Sequence, residues 1–500
     1  MTRAAWREGA GWAAALALSI VVVGQVASTA RSQLLFRDAD SLVVALLSCS
    51  IAEGDRLDWA LSSVLFLPET ALLLLLRAAL PALSVAGLLA VNAVLNLLAL
   101  YGALRLAAGR RDEGRSPVAW SLVAHGTFGV LAVTETSASR EALEPASLLL
   151  TTTYYSATVV GTVLAVGLVR RHLDRPRVAL PTALGIVSLA STMTNPLFLV
   201  WAVAPLVVLL AVAAIPRLLG HAALLPLAVL VGGALLGLAA RMPFSAWIAN
   251  SGVGYARPDR WVGAAEYYGQ LAMARLATPG GLIAVTLMTA LIALCVLRSI
   301  RIPVERGARL VAAFGWFTPL AVVAGVIALG TNASRYLEPI AFGPVLGLLA
   351  LPSVRRPLPH ALTRLVTAVA AVLLLAGTVL SIPRIQAAAT APDADAACVR
   401  DWVDASDRTG GGQFWTVRLP KLMLEDAARL VQVDHTLRGY AWLVNRSDFA
   451  AERVTFLVED LQSAPWDITG QPVPDSIVEC GRYRILDYSS HPLPIGPQRS

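Results

Sequence analysis

Long apolar runs, separated by short polar segments, fill the first four-fifths of the chain. Runs such as 11–30 and 361–382 reach the roughly 20 apolar residues that a helix needs to cross a bilayer. The first run is not followed by a cleavage site and a soluble domain, so it is predicted to be a retained helix. The pattern predicts eleven membrane-spanning helices, at 11–30, 84–108, 117–134, 147–169, 179–194, 196–215, 222–240, 277–297, 307–329, 336–351 and 361–381.

Arginine placement predicts the orientation of these helices. Arginines are concentrated in alternate loops, at Arg3, Arg7, 110–115, 170–177, Arg217, 298–306, Arg355 and Arg356. Cytoplasmic loops are enriched in basic residues, so the N-terminus is expected in the cytoplasm and the C-terminal region outside it. Lys421 is the only lysine. This preference for arginine indicates a GC-rich genome and hence a bacterial plasma (inner) membrane.

The first external loop, about 31–83, is predicted to contain two helices that do not cross the membrane. Segment 40–51 is too short to span. Segment 63–80 contains Glu69 and Arg77, and ionisable residues at mid-bilayer are costly. We therefore predict a helix in the plane of the interface, with Pro68 in its first turn and both charges facing water or headgroups.

The chain becomes polar and mixed near residue 383. This predicts a membrane domain at 1–382 and an extracytoplasmic α/β or α+β domain at 383–500, with short strands and helices alternating around a turn at Gly410–Gly412. Cys398 and Cys480 bracket the second domain, and outside the cytoplasm they would be able to form a disulfide.

Composition agrees with a membrane protein. Hydrophobic residues make up 56% of the 500 residues and charged residues only 15%, whereas soluble domains have about a quarter charged residues. Mean hydropathy is +0.66. The net charge of +7 comes from loop arginines rather than from a nucleic-acid-type basic surface, so no nucleic-acid partner is predicted. The chain has no GxGxxG or P-loop pattern, and no nucleotide is assigned.

This arrangement resembles the GT-C superfamily of integral membrane glycosyltransferases. In that superfamily a first helix leads into a large external loop with an early acidic residue and two juxtamembrane helices, followed by about ten further helices and often a C-terminal soluble domain. The resemblance rests on Phe36-Arg37-Asp38-Ala39-Asp40 after the first helix and on Asn332–Pro339 at a late one. A closer similarity is to a little-characterised group of bacterial membrane proteins, through Asp40, Trp59 and Phe66-Leu67-Pro68-Glu69.

The resemblance implies transfer of a sugar from a polyprenyl-phosphate carrier to a cell-envelope glycan, lipid or protein outside the cytoplasm. It implies no nucleotide cofactor. Some members need a divalent metal such as Mg or Mn, which acids of the first loop would hold, although no ligand set is evident.

Three acids are the candidate catalytic residues. Asp40, with Asp38 beside it, would accept the proton of the acceptor hydroxyl. The alternative is that Asp40 caps the helix that follows. Glu69 is a second candidate acid, or a carboxylate that complements a helix dipole.

The other candidates concern the donor and the acceptor. Arg335 and Tyr336 would bind the donor phosphate, or anchor the helix end at the membrane interface. Glu338 is expected to pair with Arg335, one turn earlier. Asn195, His125 and Glu266 are candidates for lining the cavity or contacting the acceptor, against ordinary roles in the core and in the 241–276 loop.

Two other functions fit the same sequence. One is a lipid or solute transporter or flippase, in which charged residues deep in several spans would be expected. The other is a non-catalytic membrane component that binds a partner through its external domain.

Overall fold

The computed structural model describes residues 3–110, 116–213, 220–250, 253–301, 306–350, 359–468, 470 and 472–500. The predicted cytoplasmic residues Arg217, Arg355 and Arg356, and most of the 110–115 loop, lie outside these residues.

The described residues are mostly helical. The α-helices are α1 (Arg3–Ala27), α2 (Ser32–Phe36), α3 (Val43–Glu53), α4 (Leu67–Ala79), α5 (Val85–Ala107), α6 (Pro117–Val133), α7 (Ser156–Asp174), α8 (Ala179–Thr194), α9 (Ala204–Ala213), α10 (Leu224–Ala239), α11 (Trp261–Leu276), α12 (Pro279–Arg301), α13 (Arg306–Ala328), α14 (Pro339–Phe342), α15 (His360–Thr390), α16 (Ala394–Ser406) and α17 (Phe414–Met423).

The strands are short and lie almost entirely in the C-terminal region. They are β1 (Trp59–Ala60), β2 (Gly410–Gly412), β3 (Leu430–Gln432), β4 (Arg438–Tyr440), β5 (Val444–Asn445), β6 (Arg453–Val454), β7 (Phe456–Glu459), β8 (Ser476–Cys480), β9 (Tyr483–Asp487), β10 (Leu493–Pro494) and β11 (Gly496–Arg499).

The chain forms two compact units. The helical unit comprises Met1–Ser32, Ala90–Met242 and Gly254–Ala388. The mixed unit comprises Gln33–Leu89, Pro243–Val253 and Ala389–Ser500. The first external loop therefore belongs to the same unit as the C-terminal region, whereas the sequence analysis assigned it to the membrane domain.

Five described helices are long and apolar enough to cross a membrane, namely α1, α5, α12, α13 and α15. Shorter apolar helices of 10 to 17 residues include α6, α8 and α10. Most of α15 is exposed, with only 6% of its most apolar window buried within the protein. A helix that is apolar on all sides and exposed to this extent is typical of a lipid-facing surface, so the chain is that of a helical membrane protein.

The predicted span at 336–351 differs from a single helix. It is divided into a 3₁₀ turn at Ser334–Leu337, the four-residue α14, and a second 3₁₀ segment at Pro344–Leu349. Pro339 and Pro344 each lack the amide hydrogen that a continuing helix would need. The interruption places Glu338 at a break in the backbone rather than inside a regular helix.

A five-stranded sheet forms the centre of the mixed unit, with strand order β3-β2-β7-β9-β8. Strands β3, β2 and β7 run parallel, and β7, β9 and β8 run antiparallel. Side chains alternate between two cores along each strand: Phe456 and Val458 pack in the core beneath α16 and α17, and Leu457 packs in the opposite core. The region is therefore an α/β-type domain, as expected.

Gly410–Gly412 is a buried strand, so the prediction of a turn there is wrong. Packing explains the difference, because a Cβ at Gly410 would overlap the ring of Phe456 and a Cβ at Gly412 would overlap Val417. Glycine is required in this strand by the close approach of neighbouring side chains, not by a reversal of the chain.

The first external loop completes the mixed unit. Helices α3 and α4 correspond to the two predicted non-spanning helices, and Pro68 lies in the first turn of α4. Between them, β1 pairs antiparallel with β5 of the C-terminal region. The side chain of Asn445 donates to the carbonyl of Arg56 at 2.9 Å, and Arg446 pairs with Asp58 at 3.2 Å.

Two predictions about this loop are wrong. Glu69 does not face water, because it is only 4% exposed. Asp40 does not cap α3, because that helix begins at Val43 and the residue at its N-cap is Leu42. The side chain of Asp38 instead accepts a hydrogen bond from the amide of Asp40 at 3.2 Å.

The structure joins Cys398 and Cys480 in a disulfide between α16 and β8. The bond closes a loop of 82 residues, and a cross-link over such a length restricts the unfolded chain strongly.

Replacing both cysteines with serine is expected to lower the free energy of unfolding of the mixed unit by about 2–4 kcal/mol. Resistance of the C-terminal region to protease at increasing urea concentration measures this in the full-length protein. Cys49→Ser, which removes a free thiol from the same unit, is the control. An unchanged urea midpoint in the double variant would contradict the prediction.

Candidate functional site

In the helical unit, the segment 134–147 after α6 is held by two buried arginines from distant parts of the chain. Arg31 follows α1, and Arg275 lies in the last turn of α11. They are 1% and 6% exposed. Burying a guanidinium is costly unless its donors are satisfied, so the segment must supply acceptors.

Arg31 donates to four groups of this segment. Its Nε lies 2.7 Å from Ser147 Oγ, and its Nη1 donates to the carbonyls of Ser137 and Ser139 at 3.1 and 2.9 Å. Its Nη2 donates to the carbonyl of Glu144. One side chain thereby fixes most of the turn between α6 and the 3₁₀ segment at Ser147–Leu150.

Arg275 fixes the start of the same segment. Its Nη1 lies 2.8 Å from a carboxylate oxygen of Glu144 and 3.0 Å from the carbonyl of Thr134. The second oxygen of Glu144 accepts from the amide of Ser137 at 2.9 Å. Glu144 is therefore a fully bonded carboxylate between two cations, which is a structural role.

Glu135 is also buried, at 3% exposed, and accepts from the amides of Ala146 and Ser147 at 2.9 and 2.6 Å. Burial raises the pKa of Glu135 above its ordinary value, although the neighbouring Arg31 and these amides act in the opposite direction. A buried acid with a raised pKa is a common feature of functional sites.

Glu338 is the most unusual side chain of the site. It is 2% exposed, and neither of its carboxylate oxygens has a hydrogen-bond partner among the described residues. The expected pairing with Arg335 is wrong, because Arg335 pairs with Glu141 instead. The carboxyl of Glu135 lies within electrostatic range of Glu338. Leaving a buried acceptor unpaired costs free energy, so such groups are characteristic of ligand sites.

Arg335 and Tyr336 lie beside this pair of acids. Arg335 is 3.7 Å from the carboxylate of Glu141, and the hydroxyl of Tyr267 donates to the same carboxylate at 2.9 Å. The guanidinium lies 5.6 Å from the centre of the Tyr336 ring. Arg335 is only half-buried, and its planar guanidinium is of the kind that binds phosphate through two parallel hydrogen bonds.

Tyr336 belongs to a row of aromatic side chains that includes Tyr155 and Trp201. Its ring stacks on Tyr155 at 6.2 Å, and Tyr155 meets Trp201 edge to face at 5.8 Å. Tyr155 has a left-handed backbone, with φ of 64°, directly before α7. Bulky residues rarely adopt this conformation, and such strain is concentrated at functional sites.

The acids of the first loop lie in the mixed unit. Asp38 and Asp40 are half-buried between α2 and α3. The nearby guanidinium of Arg418 has a pKa of about 10, lowered by burial and raised in part by the charge of Asp40. Asp40 thus lies near a buried cation of the C-terminal region. Glu69, in the first turn of α4, is buried in the same unit.

The remaining candidates have ordinary surroundings. Asn195 is buried, donates to Thr158 Oγ1 at 2.9 Å and accepts from the amide of Leu197 at 3.0 Å. His125 is 1% exposed and lies 3.1 Å from Ser19 Oγ in the core. Glu266 is on the exposed face of α11. None of the three contacts the cluster formed by Arg31, Glu135, Glu144 and Arg275 through a described hydrogen bond.

No group of three or more His, Cys, Asp or Glu side chains suited to a metal ion occurs within the described part of the chain. No model of a known protein family matches the chain, and no curated protein is significantly similar to it.

Sequence reasoning missed Arg31, Glu135, Glu144 and Arg275. A signal was present, because Arg31 and Arg275 occur at predicted external ends of spans, where the positive-inside rule does not favour arginine. Basic residues at such positions need another reason, and here the reason is a set of buried carboxylates and carbonyls.

Arg275→Gln is expected to lower the free energy of unfolding by about 3–5 kcal/mol, because it leaves the Glu144 carboxylate buried without its closest cation. Adding Glu144→Gln should restore part of the loss. Thermal unfolding can be followed in a Cys49→Ser background by reaction of a thiol dye with the buried Cys295. Arg260→Gln, at an exposed arginine just before α11, is the control. Equal losses in the single and double variants would rule out the coupling.

Proposed function

We propose that the protein is a membrane glycosyltransferase that moves a sugar from a polyprenyl-phosphate carrier to an acceptor outside the cytoplasm. The observation that most supports this is the unpaired, buried carboxyl of Glu338 beside Glu135. A sugar hydroxyl placed there would donate the hydrogen bond that Glu338 lacks. In the proposed topology the site would lie near the outer ends of the apolar helices, where a lipid-linked sugar would be presented.

Arg335 is the proposed contact for the donor phosphate. Its guanidinium is half-buried and lies 3.7 Å from the carboxylate of Glu141. A donor phosphate would accept two parallel hydrogen bonds from the planar guanidinium. Tyr336 and Tyr155 would pack beside the sugar or the first prenyl unit.

The proposed chemistry is a single displacement. The acceptor hydroxyl oxygen forms a bond to the anomeric carbon, and the bond from that carbon to the phosphate oxygen breaks. The polyprenyl phosphate leaves with the electron pair, stabilised by Arg335. The hydroxyl proton passes to a carboxylate, and the candidate base predicted from the sequence is Asp40, with Asp38 or Glu69 as further candidate acids.

The eleven-span topology is part of the proposal. It places the N-terminus in the cytoplasm and the C-terminal region outside the plasma membrane, with the broken 334–349 segment as the tenth crossing. That count assigns Arg31, Glu135, Arg275 and Glu338 to the same, outer face. The hydrogen bonds from Arg31 and Arg275 to one segment support this assignment, because residues on opposite faces could not share it.

The test is transfer of labelled sugar from a panel of polyprenyl-phosphate sugars by the purified protein in the presence of cell-envelope acceptors. We expect Glu338→Gln and Arg335→Ala each to lower transfer by about a hundredfold or more, since each removes a group proposed to contact the donor or the acceptor. Asp40→Asn, which tests the base predicted from the sequence, should lower transfer by a similar factor. Glu338→Gln keeps the shape of the side chain and removes a buried carboxyl, so folding should be preserved.

Asp259→Asn, at an exposed acid of the helical unit, is the matched control and should transfer sugar like the unmodified protein. If none of the donors is used, the glycosyltransferase proposal fails. Movement of a labelled lipid across vesicles containing the protein would then favour the flippase alternative.

A further inference from the structure

The mixed unit contains a cavity of about 240 Å³. This is roughly the volume of eight water molecules in the liquid, enough for one sugar ring. Its walls come from two chain segments that are far apart in sequence. Helix α3 and β1 of the first loop form one side, and α17, β5 and the segment 424–428 form the other.

Arg418 lines this cavity and is 1% exposed. Its Nη2 donates to the carbonyls of Trp442 and Leu443, and the guanidinium lies 4.6 Å from the centre of the Phe414 ring. Its Nε and Nη1 have no hydrogen-bond partner among the described residues. Two unused donors on a buried cation indicate that an acceptor group is missing from its surroundings.

The other polar groups of the cavity are rigidly held. Lys421 pairs with Asp448 at 2.6 Å, and both are buried. Asn445 donates to Ser50 Oγ at 3.3 Å, and the indole of Trp59 donates to the same oxygen at 3.3 Å. A site whose polar side chains are fixed in this way is organised before a ligand arrives.

The charges of the cavity limit the kind of ligand. Its rim has four acidic residues, Glu53, Asp55, Glu425 and Asp426, and all four are exposed. They would repel a phosphate or a carboxylate. Deeper in the cavity, Arg418 and Lys421 would repel a cation. A neutral molecule with many hydroxyl groups fits both regions, because its oxygens accept from Arg418 and its hydroxyl hydrogens donate to the acids.

The apolar part of the lining fits the same class. Trp59, Leu46 and Val444 line the cavity beside the polar groups. Aromatic and aliphatic surface combined with a few fixed polar groups is typical of small-molecule sites, and it would pack against the C–H face of a sugar ring.

We propose that this cavity binds one neutral sugar residue, with Arg418 as the donor at its base and the exposed carboxylates as acceptors at its rim. Binding to this cavity requires no donor lipid.

The test is equilibrium dialysis of the full-length protein, in a zwitterionic detergent without a sugar headgroup, against labelled methyl glycosides of glucose, galactose, mannose and arabinose. Inorganic phosphate and Mg²⁺ are tested in parallel. At least one glycoside should bind saturably, one per chain, and neither ion should do so.

The variant is Ala428→Trp, because Ala428 lines the cavity, is exposed and contributes no side-chain hydrogen bond, whereas changing the buried Arg418 risks misfolding. The indole should fill the cavity and weaken glycoside binding at least about tenfold, equivalent to 1.4 kcal/mol. Ala450→Trp, at an exposed alanine that does not line the cavity, should bind normally.

Three results would overturn the proposal. They are the absence of binding by every glycoside, binding that Ala428→Trp leaves unchanged, and phosphate or Mg²⁺ occupying the cavity instead. Because no donor lipid is present, these results do not depend on whether the protein transfers sugar.

Discussion

The burial of Arg31 and Arg275 against one short segment is the constraint on which the helical unit depends. Removing a guanidinium from water costs free energy, and hydrogen bonds to segment 134–147 offset that cost for Arg31 and Arg275. These bonds form only when α1, α6 and α11 meet in one arrangement. Because segment 134–147 is fixed in this way, Glu135 and Glu141 are held in place beside Glu338 and Arg335. The unpaired carboxyl can therefore persist in a rigid frame instead of finding a partner by local rearrangement.

The mixed unit is stabilised by different interactions. Its sheet supplies a conventional two-sided core, and the disulfide ties α16 to β8. The predicted first external loop belongs to this unit because β1 pairs with β5 through backbone hydrogen bonds. Polar side-chain contacts, such as that of Asn445 with the carbonyl of Arg56, add to this pairing. Polar contacts of this kind define geometry more than they add stability, which suits walls of a cavity better than a core.

The sequence predicted most of the helices because their ends are set by local composition. The runs at 84–108 and 307–329 correspond to Val85–Ala107 and Arg306–Ala328, and the non-spanning helices of the first loop were also expected. Predictions failed where distant contacts decide the outcome. Among the described residues Glu338 pairs with no arginine, since Arg335 pairs with Glu141 from another loop. The glycines of β2 form a strand because of Phe456 and Val417. Asp40 was predicted as a candidate from its position, but its proximity to Arg418 depends on a region almost 400 residues later.

The pairing of β1 with β5 has a consequence for the order in which the protein is made. Arg56 and Asn445 are 389 residues apart, so the first loop leaves the ribosome long before its partner strand is synthesised. During that interval the later helices are synthesised and inserted. Until the C-terminal region is made, β1 has an unpaired edge, and α3 and α4 lack the surface against which they pack. The acids of the first loop are then positioned only after the last helix has been inserted and the C-terminal region has folded. A chain that stalls or is truncated before that point would leave β1 without its partner strand.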